Sequence, residues 1–367
     1  MSSDRVNAVI VGGGVIGCCT AYYLARAGAR VTLLERGPIC SEASSAAAGL
    51  NLVSTREGLL LSLAQKSLRL LRSVQQELET DLGLVQRGSL TLLRSEDELR
   101  QQRAFVERQR QKGLDVRLLD RETALEMEPV ASPEILGAVY SPIDCSSNPY
   151  ATTLAFARGA RRLGVDIRTG IEVTGLKAEG GRVRSALTRD GEVAGDFVVV
   201  AAGAWSPLLT RTVGLDLPVE PSRGQIVVTE PARLTGRVIK NTGHIYVCPT
   251  ARGNYVIGSM TERVGFDKGL TADRLRDYVS EAADLVPSLR SVRVLRAWAG
   301  LRPLSPDNLP FLGPVPGIDG LILAAGHSRL GILLAAATSK MVADLVTTGA
   351  ADFPLEPFSA TRFAPAT

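Results

Sequence analysis

A chain of 367 residues is long enough for two domains sharing one core. Hydrophobic residues at 45% and charged residues at 22% exclude a disordered chain, and a net charge of +4, spread through stretches such as 100–110, argues against a nucleic-acid partner. Five cysteines without a CxxC pair argue against a disulfide framework, and two histidines are too few for a His-rich site, so no metal and a reducing, cytoplasmic setting are expected.

Residues 1–7 lack the charged start and apolar core of a signal peptide. Residues 5–11 read as a buried strand, 15–27 as a helix and 29–35 as a second strand, a βαβ unit whose first turn is glycine-rich. From 57 to 82, Leu60, Leu63, Leu68, Leu71, Val74 and Leu78 recur at helical spacing and predict a long amphipathic helix. A strand over 88–93, a charged helix over 97–112 and a strand over 115–119 open an inserted second domain. The chain returns to the first domain with a helix over 150–163 and strands over 166–168, 171–178, 183–188 and 197–201. Gly180-Gly181 suits a hairpin, and the unbroken apolar run 197–201 suits a central parallel strand. Segments 225–229, 245–248 and 255–257 predict an antiparallel sheet re-entering the second domain. A helix over 272–285, strands over 292–298 and 321–324 and a helix over 331–347 close the chain. Polar residues interrupt even 321–346, so no transmembrane segment is expected, while peripheral membrane attachment stays open.

This order predicts an α/β fold with a Rossmann-like nucleotide-binding domain formed by 1–82, 145–215 and 290–367. An α+β second domain on a mostly antiparallel sheet is formed by 83–144 and 216–289.

Gly12, Gly14 and Gly17 form GxGxxG between the first strand and helix, with Val15 and Ile16 opening that helix. The first glycine permits the tight turn, the second lets backbone approach a pyrophosphate, and the third allows helix and strand to pack closely. Glu35 ends the second strand, where a carboxylate accepts a hydrogen bond from a ribose hydroxyl. The motif alone does not separate NAD from FAD. The small-residue run 41–49 after it can lie against a bulky planar ligand.

With VIVGGGVIG, SSAAAGL, FVVVAAGAWS, AWAGLRP and AAGHSRLGILLAAATSKMVADL in this order, the chain resembles the D-amino-acid-oxidase-like FAD enzymes, and the glycine oxidases in particular, over nearly its whole length. The resemblance implies that Glu35 and Arg36 meet the adenosine ribose, that Ser44, Ser45, Ala48, Gly49 and Leu50 pass near the flavin, and that Val173 offers backbone to the adenine. Gly203 and Trp205 follow the apolar strand, and the loop His327, Ser328, Arg329, Leu330, Gly331 and Ile332 covers the flavin pyrimidine edge. Backbone N–H groups where that loop enters its helix suit negative charge developing on a reduced flavin. Related sarcosine oxidases tether their flavin through a cysteine; 298–311 has none, so noncovalent FAD is expected.

A guanidinium at Arg302 serves either a structural acid or a ligand carboxylate; the likeness to AGLRP implies the second. Tyr246, in Gly243-His244-Ile245-Tyr246, is implied to join Arg302 on that carboxylate, though strand tyrosines also pack. His244 falls on the face of Tyr246, lining an entrance or simply packing, and Arg329 either adds charge near the flavin or caps local structure. The implied activity is oxidation of the C–N bond of a small amino or imino acid, with hydride passing to the flavin and the imine hydrolysing to an oxo acid. Leu50, the segment 260–262 and the run 308–317 depart from the glycine oxidase pattern. The last looks more like related dehydrogenases, some of them hetero-oligomeric, which leaves homo- or hetero-oligomeric assembly and a non-oxygen acceptor open.

Overall fold

The structure is a computed structural model and describes residues 5–363; residues 1–4 of the expected polar start and residues 364–367 of the last expected domain segment lie outside it. The run Asn7–Val11 has no charge to solvate and forms a buried central strand, flanked on both sides by parallel neighbours, Phe197–Val200 and Arg30–Glu35. Ile318–Ala325 and Asp166–Thr169 extend this parallel core to either side. Arg182–Thr188, joined in parallel to Ile318–Ala325 and flanked by its antiparallel partners Val173–Glu179 and Gly191–Ala194, and the antiparallel strand Phe311–Val315 complete nine strands. The hairpin expected at Gly180-Gly181 joins two of them, both glycines at positive φ.

Helices Val15–Arg26, Pro149–Arg162, Gly58–Glu77 and Gly331–Thr348 pack on one another beside this sheet. Gly331–Thr348 has the length and composition of a membrane span, more than its interruptions suggested, yet two thirds of it is buried against its neighbours. Its Ser339 hydroxyl accepts from Thr20 of the first helix at 3.0 Å, so its polar groups serve contacts inside the protein.

The second sheet has eight strands in the order Val294–Leu304, Glu220–Thr229, Tyr255–Gly258, Tyr246–Pro249, Val238–Lys240, Ser89–Leu93, Gly137–Ser141 and Arg117–Asp120. All its pairs are antiparallel except Val238–Lys240 with Ser89–Leu93. Since side chains alternate, one face (Val227, Ile239, Val247, Ile257) packs on helix Ala272–Leu285. The opposite face (Ile226, Val228, Val238, Cys248, Val256) meets Ala48 and Leu50 of the first unit.

The strand expected over 292–298 runs Val294–Leu304 and pairs with Glu220–Thr229 in this second sheet, although its sequence position suggested the first. The strand continues past 298 through Gly300 and Pro303, which pair with Gly224 and Pro221 of its partner. Strands Gly137–Ser141, Gly191–Ala194, Val238–Lys240 and Phe311–Val315 and helix Arg121–Met127 add to the expected elements.

Candidate active site

A cavity of about 740 Å³ runs from the first glycine turn to the open face of the second sheet. At its nucleotide end, Gly12 sits at φ +114, and a Cβ there would lie 2.5 Å from the Ala201 carbonyl oxygen. Gly17 lies outside the lining because its task is packing: a Cβ would come within 1.9 Å of the Gly12 oxygen. Gly12, Gly14, Val15 and Ile16 line the cavity, and no side chain of the capping residue Gly14 closes the helix that they begin. The Val15 N–H instead donates to the Ser44 hydroxyl at 2.9 Å. The Glu35 carboxylate accepts from the N–H groups of Gly13 (2.6 Å) and Gly37 (2.8 Å), which fixes it at the end of its strand. Arg36 stacks on Trp205, 4.0 Å from the ring centroid, and pairs with Glu42 at 3.0 Å. Val173 and Gly203 border the same end.

Toward the middle, Ser44, Ala48, Gly49 and Leu50 line one wall, and Gly49, at φ +80, is held against the Ser147 carbonyl. Ser45 is the exception among the expected residues. Its hydroxyl donates to the Glu42 carbonyl (2.9 Å), as do its own N–H and that of Ala46, so the turn draws Ser45 off the cavity. Opposite lie His327, Ser328, Arg329, Leu330, Gly331 and Ile332, at the N-terminus of Gly331–Thr348, where again no side chain caps the helix. Two helix N-termini therefore open on one cavity, a polarity suited to the phosphates and electron-rich ring of a flavin dinucleotide. The His327 ring turns inward: it is buried, its Nε2 lies 3.2 Å from the Thr338 hydroxyl, and burial pushes its pKa down to about 3.

At the sheet end, Arg302 crosses over Gly224, where a Cβ would sit 2.3–2.4 Å from Nη2, Cζ and Nη1. Its Nη1 donates to the Met260 carbonyl at 3.1 Å and its Nη2 to the Ser259 hydroxyl; no carboxylate of the described residues lies within 4.0 Å of it. The nearby Glu262 is taken by Arg223 (3.0 Å) and Gln225 (2.9 Å). Tyr246 shares this space, its hydroxyl over Gly258, and burial raises its pKa against the pull of Arg302. Arg329 is exposed at the mouth, donating to the Thr261 hydroxyl, with His244 Nδ1 at 3.5 Å. Burial and then the two arginines 329 and 302 depress the His244 pKa. The segment 260–262, ambiguous in sequence, thus holds three arginines in place, one per residue.

Sequence reasoning missed Gly224, Ser259, Lys240 and Arg56, all of which surround this end. A glycine immediately before the apolar run of a strand was the available signal for the first.

A Rossmann-like sheet with a glycine turn, joined to a mostly antiparallel sheet that presents an arginine without an acidic partner among the described residues, is the architecture of a dinucleotide-dependent oxidoreductase. A family model described as FAD dependent oxidoreductase matches residues 7–345, and the chain belongs to that family. Glycine oxidase of Geobacillus kaustophilus is 35% identical over 371 residues, covering 98% of each chain. The crystal structure of glycine oxidase from the same organism matches with a TM-score of 0.93 at 34% identity, over 98% of this chain and 99% of that one. Hydrogen cyanide synthase subunit HcnC of Pseudomonas aeruginosa is 32% identical over 402 residues, covering 97% of this chain and 96% of its own. The protein is an FAD-dependent oxidoreductase acting on amino acids.

Proposed function

We propose that the protein oxidises the C–N bond of a small amino or imino acid whose carboxylate rests on Arg302 and Tyr246. The observation that carries this reading is Arg302 itself, which opens on the cavity of the Gly12 turn while satisfied only by neutral acceptors. Its charge is therefore available to an incoming carboxylate, bidentately and with the Tyr246 hydroxyl as a third donor. The Gly12–Gly14 turn, Glu35, Arg36, Ser44, Gly49, Val173 and the 327–332 loop would hold FAD noncovalently, and the bound flavin would supply a two-electron acceptor for the hydride of the α-carbon.

The chain's own residues bind and orient. Fixing the carboxylate fixes the α-carbon, a proximity effect that needs no dedicated base when the amine enters neutral. His244, with its pKa depressed, stays neutral near pH 7 and borders the mouth beside Arg329. All five cysteines are buried as free thiols and none lines the cavity, which supports noncovalent attachment. The nine-stranded sheet then carries the cofactor unit and the eight-stranded sheet the substrate unit.

The test is anaerobic mixing of the purified yellow protein with glycine, sarcosine, alanine and proline in both enantiomers where they exist. Bleaching of the visible flavin band is expected with at least one. If dithionite bleaches the flavin and no primary or secondary amino acid does, the reading is wrong. The likeness to HcnC favours a second reading on the acceptor side, a flavin subunit that passes electrons to a partner protein and not to oxygen. A bleached enzyme that recolours with an artificial dye but not with air would support it.

A further inference from the structure

We infer that the preferred substrate carries a second anionic group, which Lys240 receives while Arg302 holds the α-carboxylate. This rests on the reading of Arg302 given above. The sheet register places the lysine: Tyr246 lies directly opposite Gly258 on one side and Lys240 on the other, so Lys240 shares the open face with Tyr246. Lys240 lines the cavity, yet its ammonium forms no ion pair or hydrogen bond with any described residue. The nearest acid is committed elsewhere: Asp144, fully buried, accepts from the Ser54 N–H (2.9 Å), the Ser54 hydroxyl (2.7 Å) and the Ser89 hydroxyl (2.7 Å). Arg56 adds a second cation to this wall, its Nε bound only to the Leu52 carbonyl (3.2 Å) and the Thr55 hydroxyl (3.1 Å).

The acids along the cavity are confined to one end, where Arg36 pairs with Glu42. The lining acids, Glu35, Glu42 and Glu172, all lie at the nucleotide end, whereas Arg56, Lys240, Arg302 and Arg329 surround the sheet end. An ammonium withdrawn from water without a partner is unfavourable, and burial lowers Lys240 to about 8. A ligand anion reverses that loss. The strand that ends at Gly258, just before the Ser259 to which Arg302 is bound, and the strand of Lys240 are two apart, roughly 9–10 Å by strand spacing before either side chain reaches inward. That span suits a short dicarboxylic amino acid or an N-carboxymethyl amino acid better than glycine.

The experiment uses the FAD-loaded protein and two readouts. Dissociation constants for succinate and glutarate, set against propionate and butyrate, are measured by calorimetry, a reading that needs no turnover. Anaerobic flavin reduction then compares aspartate, glutamate and iminodiacetate with asparagine, glutamine and sarcosine. A preference for the diacid of at least tenfold is expected in both, abolished in Lys240→Met and retained in Lys240→Arg. Equal binding of mono- and diacids by the unaltered protein, a comparison that needs no variant to fold, would overturn the inference while leaving the reading of Arg302 intact. Failure of every carboxylate to bind would overturn both. A Lys240→Met protein that keeps its diacid preference but shows a shifted flavin midpoint potential would also overturn it, assigning the charge to the cofactor.

Discussion

Replacing Gly224 by alanine tests the placement of Arg302 without touching the arginine. The new methyl carbon would stand 2.3 Å from Nη2 and 2.4 Å from Cζ and Nη1, whereas ordinary contact begins near 3.4 Å, so the guanidinium must retreat by about 1 Å. Gly224 needs no positive φ, so its backbone accepts alanine, and the group displaced is the far end of a flexible side chain. The fold and the flavin content should therefore survive. The donor pair to Met260 and Ser259 should not, and a misplacement of about 1 Å near the chemistry lowers kcat/KM on the order of 100-fold, about 2.7 kcal/mol of transition-state binding. Stopped-flow reduction under anaerobic conditions gives this ratio directly. Because both changes act through one group, Gly224→Ala should add little to Arg302→Lys. Activity within about threefold of the parent at full flavin occupancy would refute the reasoning.

Gly12→Ala places a side chain at φ +114 and against the Ala201 backbone, so the protein should purify colourless, with a stability loss of at least about 1–2 kcal/mol; a fully yellow variant would contradict this. Tyr246→Phe removes one donor to the carboxylate and should lower kcat/KM roughly 10- to 100-fold, the value of a hydrogen bond to a charged group, at unchanged flavin content. For His327 the folded pKa of about 3 lies below the ordinary 6.5, so the unfolded chain takes up a proton first as pH falls. Its contribution is complete above pH 6.5 and is lost progressively between 6.5 and about 3, at up to about 1.4 kcal/mol per pH unit. Denaturant titrations across that window should show a shallower pH slope in His327→Gln; identical slopes would remove His327 from the account.

The parts of the fold carried by local pattern were legible. The apolar stretch within Asn7–Val11 and the unbroken run Phe197–Val200 marked buried strands, and the helical spacing from Leu60 to Val74 marked Gly58–Glu77. What stayed hidden was sheet identity where glycine interrupts a strand. Gly224 and Gly300 lie opposite each other in the register, and both fall just outside the expected strands 225–229 and 292–298. They are instead clearances, one for the Arg302 guanidinium and one for Ala46, whose Cβ would be 2.5 Å from a Cβ at 300. The strand Phe311–Val315 escaped for a related reason: Pro314 removes a donor, which this strand tolerates because it is paired on one side only, with Ile318–Ala325. Lys240 was illegible because a three-residue strand carries no period, and only pairing with Tyr246 places it in the cavity.

The charge arrangement around Glu262 shows why an arginine in this sheet can remain unpaired. Burial raises the Glu262 pKa, but hydrogen bonds from Arg223 and Gln225 pull it down further, so the carboxylate stays ionised within its own network. Its neighbours in sequence contribute only a carbonyl to Arg302 and a hydroxyl to Arg329. Had Glu262 turned toward Arg302, the pair would have been mutually neutralised, and a substrate carboxylate would then have to break a partly buried salt bridge to bind. Side-chain alternation instead divides the labour. Arg223 and Gly224 are adjacent on one strand and face opposite ways, so the first takes the acid away on one side while the second leaves room for Arg302 on the other. Electrostatic availability at the site thus follows from strand geometry, and a shift of register by one residue would exchange the two roles and close the pocket.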